Sequence, residues 1–522
     1  MRSNAIGHDT TNYGTSKTNR GNVTKVTTFG NAQTQTEPIS AYSQFDILGN
    51  VVKTIDAKGY ISTIDYTDRF GTADGEARSN TAPTQLNGQS TFAFPTSATN
   101  PIGYTAYTQV DYFTGQAVNA EDVNGVISKL LYNDLLDRPT QTVVAINTPF
   151  EMQSNIIYDD ANHRVETRSD VHALNDNLLK SESFYDGLGR TIESRRYESD
   201  GGFIATKAVP FVMVQDSETG IWRAGTKVSN PYRPNAGEQP IWTTSLIDSL
   251  GRGIKTITPD GVFIKTEYSG NTVTVTDQAG KKRRSITNGL GQLTRVDEPN
   301  SAGQLDVSGN PAQPTNYSYD ILNNLITVSQ GSQTRSFVYD SLSRLKNATN
   351  PESGLMSYQY DNNGNLTQKT DARNVQTNYS YDNLNRVTTR SYTDGITPAV
   401  SYFYDNLPNA KGKLIKVSSA ISTTEYTSFD ILGRVLAHKQ TTDGNAYTSG
   451  YTYNLSGALI EETYPSGRVV KNTLDNDGDL MQVQSRKTND TFRNYANSFN
   501  YTAAGAVSSL RLGNGKWETT SF

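Results

Sequence analysis

Polar and apolar residues alternate along much of this chain with a period of two. Thr377 to Tyr381 reads Thr-Asn-Tyr-Ser-Tyr, and Arg386 to Tyr392 reads Arg-Val-Thr-Thr-Arg-Ser-Tyr. Alternation rich in aromatic and β-branched residues predicts strands with one packed face. Between the two runs stands Asp382-Asn-Leu-Asn385. An aspartate opening a turn accepts backbone N–H groups about two residues on. Asn385 stands where a type I turn ends in a left-handed residue, a conformation open to Gly and Asn and costly for most others. A second turn is predicted at Thr393-Asp394-Gly395, and the next strand leads into Tyr404-Asp405. One unit is therefore two antiparallel strands of roughly seven to nine residues and two turns.

The phrase that marks the first turn recurs. It reads YDGLGR at Tyr185, Asp186, Gly189 and Arg190, and YDILNN from Tyr319 and Asp320. It reads YDSLSR from Tyr339 and Asp340 to Arg344, and YDNNGN from Tyr360 and Asp361 through Gly364. It reads YDNLNR from Tyr381 and Asp382 to Arg386, and FDILGR from Phe429 and Asp430 through Gly433 to Arg434. In the second half it returns every roughly 20–25 residues, a period that signals a solenoid, propeller or array. Divergent copies stand at Phe45-Asp46, Tyr132-Asn-Asp134, Ile247-Asp248, Tyr453-Asn-Leu-Ser-Gly457 and Leu474-Asp475-Asn-Asp-Gly478. The residue before the Gly/Asn position is often leucine, as at Leu188, Leu250, Leu290, Leu322, Leu342, Leu384 and Leu432. These leucines and the phrase tyrosines are expected to touch the neighbouring repeat, because an isolated hairpin is marginal in water and stacking must stabilise it.

The regularity divides the chain into three. Residues 1–201 are expected to be divergent repeats with a polar loop near 72–101. Residues 202–245 lack the phrase and are expected to form a non-repeat insert, a plug or a brace against the sheet, that carries Trp222 and Trp242 as a candidate ligand platform. Residues 246–522 are regular repeats, with a Gly/Pro/Ser-rich loop at 302–314. The final strand, after Gly513-Asn-Gly515, has no following partner. An unpaired strand is a sticky edge, so the chain is expected to be a C-terminally truncated segment of a longer protein.

Composition sharpens this. Hydrophobic residues make up 34% of 522, and even with 42 glycines the apolar share stays below the usual ~45–50%. Thirty tyrosines are present. A thin sheet wetted on both faces fits that supply better than a solid globule. The net charge is −5, and the dense basic run Lys281–Arg284 follows a turn-like Asp277-Gln-Ala-Gly280. No basic face argues for nucleic acid. No apolar run approaches the ~20 residues of a membrane span, and no signal peptide opens this segment. The absence of cysteine excludes disulfides and thiolate metal sites.

Chemistry is sparse. His8, His163, His172 and His438 are scattered, and no nucleophile elbow, phosphate loop or dinucleotide fingerprint is present. Asp475-Asn-Asp477-Gly-Asp479 resembles a calcium loop, but its glycine is early and Arg486 stands at the twelfth position, so it reads as a divergent turn. No catalytic, cofactor or metal residue is assigned. Aspartates repeated at every copy serve turns, not catalysis.

A tandem of YDxxGR phrases with DG turns between them resembles the YD-repeat (Rhs-repeat) family of bacterial Rhs toxins, toxin-complex cocoon subunits, wall-associated proteins and teneurins. The resemblance covers most of the chain and is clearest from Tyr185 onward. It implies an all-β fold of tandem antiparallel hairpins in a curved or spiralling sheet, part of a hollow shell. It implies a structural, non-enzymatic role: enclosing a cargo or toxin polypeptide in a secreted or surface bacterial protein. The implied partners are the remaining shell and a C-terminal cargo domain, on a longer chain or a partner subunit. The Asp-Pro dipeptides of the toxins' self-cleaving core are missing, so that activity is carried over to no residue. The alternative is a cell-surface adhesion or carbohydrate-binding module with surface glycans as ligands.

Overall fold

The computed structural model describes residues 5–17, 20–71, 86–87 and 89–522. Nearly every strand pairs antiparallel with the next, and the pairings join 41 strands into one sheet. Gln376–Tyr381, for example, pairs with Val387–Tyr392, which pairs with Val400–Tyr404, which pairs with Leu414–Ser418. The parallel pair is the two-residue Phe70–Gly71 beside Thr105–Asp111. Strands here are short, mostly five to nine residues, because a turn signal interrupts each alternating run.

The ladder runs straight through residues 202–245. Phe203–Gln215 pairs with Thr191–Tyr197 on one side and Trp222–Ser229 on the other, and Trp242–Ile247 follows. This segment is thus neither plug nor brace; it is strip. Pro210, which cannot donate to a ladder, falls where the register shifts between Val209 and Val212. Residues 72–85 and 88, half of the expected polar loop, lie outside the described residues. By Ser97–Thr99 the chain is back in the ladder, between Ile61–Asp65 and Thr105–Asp111. In the stretch 302–314 a two-residue ribbon, Asp306–Val307 with Asn310–Pro311, stands apart from the main sheet.

Fully buried side chains are few and spread along the strip, among them Val118, Val171, Leu246 and Val296. The accessible surface is 29417 Å². A compact monomer of 57.2 kDa would expose about 19,000 Å². The excess, about 1.6-fold by that scaling, is the signature of a wall with two wet faces.

The strip curves back on itself. Hydrogen bonds join residues 309 positions apart at Ala32 and Ser341, and 268 apart at Arg233 and Tyr501. One circuit therefore takes about three hundred residues, and the second circuit lies edge to edge on the first.

Candidate functional site

Each phrase builds the same turn. In residues 381–386, Asp382 Oδ1 accepts from the N–H groups of Leu384 at 2.9 Å and Arg386 at 3.0 Å. Asn385 takes φ 61°. The strand register shifts between Ser380 and Tyr381, so the extra residue re-aims the tyrosine. The same pair of bonds reaches Asp186 from Leu188 and Arg190, Asp320 from Leu322 and Asn324, Asp340 from Leu342 and Arg344, and Asp361 from Asn363 and Asn365. Asp430 accepts from Arg434 N–H at 2.9 Å. Gly189, Gly364 and Gly433 occupy the left-handed position, as do Asn323 and Ser343 in their phrases. The Arg190 side chain, then the backbone N–H groups, hold the Asp186 carboxyl below the usual range. At Asp361 burial pushes upward, but the Asn365 amide, the backbone and Lys58 outweigh it and the carboxyl is lowered.

The tyrosines and arginines tie one repeat to the next. A phrase tyrosine donates its hydroxyl to the carbonyl just after the preceding phrase. Tyr319 reaches Leu293 O, Tyr360 reaches Leu345 O, Tyr381 reaches Leu366 O and Tyr404 reaches Val387 O, at 2.8–3.0 Å. The arginine of the earlier phrase lies over the later ring: Arg386 over Tyr404 at 4.3 Å, Arg344 over Tyr360 at 5.3 Å, Arg434 over Tyr453 at 4.9 Å. Arg386 Nε also holds Asp382 at 2.8 Å, while its two terminal nitrogens grip both oxygens of Asp405 at 2.8 and 2.6 Å. Arg344 and Arg434 donate instead to the carbonyls of Asp361 and Asn454. The sequence shows the arginine's offset from its own aspartate; its grip on the following phrase needs the register of the sheet.

The leucines behave differently from the expectation. Leu342, Leu384 and Leu432 are half-buried. Leu188, Leu250, Leu290 and Leu322 are 78%, 74%, 85% and 51% exposed. Each sits in the turn that joins two paired strands, at the end of the ladder. What separates the groups is the seam between circuits. Phrase turns of the second circuit meet the other set of turns on the first. Ser341 N–H donates to Gly30 O, Asn363 reaches Asp56, Lys58 pairs with Asp361 at 3.2 Å, and Lys411 exchanges bonds with Asn124. Arg434 lies over Phe150 at 5.1 Å. Among the described residues no hydrogen bond or ion pair ties the phrase turns from 186 to 324 to another circuit, and their leucines are exposed.

Trp222 is exposed and Trp242 half-buried. Trp242 pairs with Ser229 at the far end of the strand that Trp222 begins. Seven residues of strand put them about 23 Å apart, so they form no joint platform. Among the described residues no group of three or more His, Asp or Glu side chains is placed to hold a metal ion. No helix of the described residues is long and apolar enough to cross a membrane.

The RHS Repeat family matches residues 339–376 and 360–397, two overlapping copies that include the phrases at Tyr339, Tyr360 and Tyr381. The repeats in this stretch are RHS repeats. The chain is similar in fold to the crystal structure of TcdB2-TccC3, with a TM-score of 0.72 at 15% identity over 96% of this chain and 29% of that one. The form without the hypervariable C-terminal region gives 0.71 at 14% identity, over 96% and 31%. A mutant Tc holotoxin pore of Photorhabdus luminescens gives 0.67 at 14%, over 93% and 30%. The chain thus spans under a third of each of these three solved structures. No curated protein matches it in sequence.

Proposed function

We propose that this chain is a wall segment of a secreted or surface toxin-type shell, structural and without catalysis of its own, that isolates a cargo polypeptide. The observation that carries the reading is the seam. A strip that returns after one circuit and bonds along its own edge makes a wall rather than an open ribbon. The large accessible surface supports an empty interior, and the similarity to TcdB2-TccC3 supports a toxin-complex setting. The bare leucine edge supports partners of the same kind: further lengths of strip, with the cargo domain, on a longer chain or another subunit. Repetition of one turn argues against any single copy being an active site.

Small-angle scattering of the purified chain tests the wall. A solid globule of this length has a radius of gyration of about 24 Å. A larger radius with a scattering minimum from an internal void is expected; about 24 Å with a filled density would refute the shell. A glycan-array signal abolished by Trp222→Ala would favour the adhesion alternative.

A further inference from the structure

One copy of the phrase departs from the others where it matters most. In Leu474-Asp475-Asn-Asp477-Gly478-Asp479, aspartates replace both the leucine before the glycine and the arginine after it. This turn lies in the seam. Asp477 is only 6% exposed, at the position where Leu342 and Leu384 are half-buried. Three carboxyl groups therefore crowd one turn that another circuit covers.

The facing groups are few. From the first circuit, Arg196 lies 3.3 Å from Asp479 and 3.9 Å from Asp477 Oδ2, too far for a hydrogen bond to the latter. Ser199 Oγ donates to Asp475 Oδ2 at 3.3 Å, and His172 Nε2 is 3.0 Å from the Asp475 carbonyl. Glu198 adds negative charge near Arg196 and is itself held by Arg233. From the next strand, Tyr501 donates its hydroxyl to Leu480 O, and Arg233 caps the Tyr501 carbonyl. Asp477 Oδ1 is buried and receives no hydrogen bond. Three carboxyl groups thus share one guanidinium, and the most buried of them is out of its hydrogen-bonding reach.

We propose that residues 475–479 form a proton-held latch between the two circuits: Asp477, as a neutral acid, donates to the Asp475 carboxylate, and releasing that proton to solvent loosens this part of the seam. The latch concerns the seam alone and holds whatever the wall encloses. Burial, first, and then the Asp475 hydrogen bond and the Asp475 and Asp479 charges push the Asp477 carboxyl up to about 7, against the pull of Arg196. The folded value lies above the unfolded one. The closed seam therefore keeps its proton in mildly acidic medium and loses stability as pH rises through the folded value, the reverse of an ordinary ion pair of aspartate. A carboxyl half-ionised near pH 7 when closed and fully ionised when open raises the opening constant about tenfold from about pH 6 to about pH 8.

Hydrogen exchange of the whole chain tests this. Peptides covering 171–177, 196–202 and 475–482 are followed between about pH 6 and pH 8, with rates corrected for intrinsic base catalysis. About a tenfold rise in opening is expected there, with none at the Lys58–Asp361 part of the seam. Asp477→Asn, which keeps the neutral shape, is expected to hold the wild-type acidic value across the range. A flat wild-type profile, or an unchanged slope in Asp477→Asn, overturns the latch. Should that variant not fold, Arg196→Gln decides: removing the cation must move the midpoint to higher pH, and an unmoved midpoint overturns the proposal. A normal scattering envelope beside a flat profile would refute the latch and leave the wall standing.

Discussion

Arg386→Ala is the sharpest test of how the repeats hold together. Arg386 grips its own Asp382, both oxygens of Asp405 and the face of Tyr404. Its side chain is 20% exposed and that of Asp405 10%. Truncating one partner of a fully buried pair costs about 3–5 kcal/mol because the other charge is stranded. Partial exposure at this site brings that to about 2 kcal/mol, and the lost cation–π contact adds about 0.5–1 kcal/mol. A total near 2.5–3 kcal/mol is expected. It should be local, since in a one-dimensional array each repeat leans on its neighbours. Hydrogen exchange of peptides spanning 382–413 reads it as a rise in opening of about a hundredfold. A double-mutant cycle with Asp405→Asn isolates the pair. The control is Arg190→Ala, whose partner Asp186 lies in an exposed turn and whose removal should stay within experimental error. Equal effects at Arg386 and Arg190, or no coupling between Arg386 and Asp405, would refute the clamp.

Other outcomes follow from the same geometry. Ser343 holds φ 60° without being Gly or Asn, so Ser343→Gly should stabilise its hairpin by about 1 kcal/mol, read by urea titration. Leu250→Ser and Leu290→Ser should leave the thermal midpoint unchanged while reducing self-association in analytical ultracentrifugation; a fall in midpoint would mean these leucines pack after all. Burial pushes the Asp405 carboxyl up, but Arg386 and the Gly412 N–H outweigh it and its folded value lies below the unfolded one. Stability from this pair is therefore present above the unfolded value of 3.8 or so and lost as pH falls through the folded one. Acid unfolding of the 382–413 region should show that loss in the wild type and not in Arg386→Ala.

The turns were legible because their chemistry is local. Asp382 reaches N–H groups two and four residues on, and a left-handed residue at Asn385 needs no partner elsewhere in the chain. The alternation at Thr377–Tyr381 and Arg386–Tyr392 announces strands for the same reason: a period of two is a property of the strand itself. From these, the sequence alone determined an all-β array of hairpins and a thin apolar supply suited to a wall. Residues 202–245 misled because a strand needs only register with its neighbours, not the phrase. Tertiary structure alone decided which turns are covered. Leu290 and Leu342 occupy the same place in the same phrase, yet one is 85% exposed and the other half-buried, and it is the turn of Leu342 that bonds to another circuit, at Gly30 and Ala32. The grip of Arg386 on Asp405, and the crowding of Asp477 under Arg196, belong to that same level. Both depend on which residues the curvature of the sheet brings together across the seam or along the ladder, a quantity summed over many small strand twists and written in no single repeat.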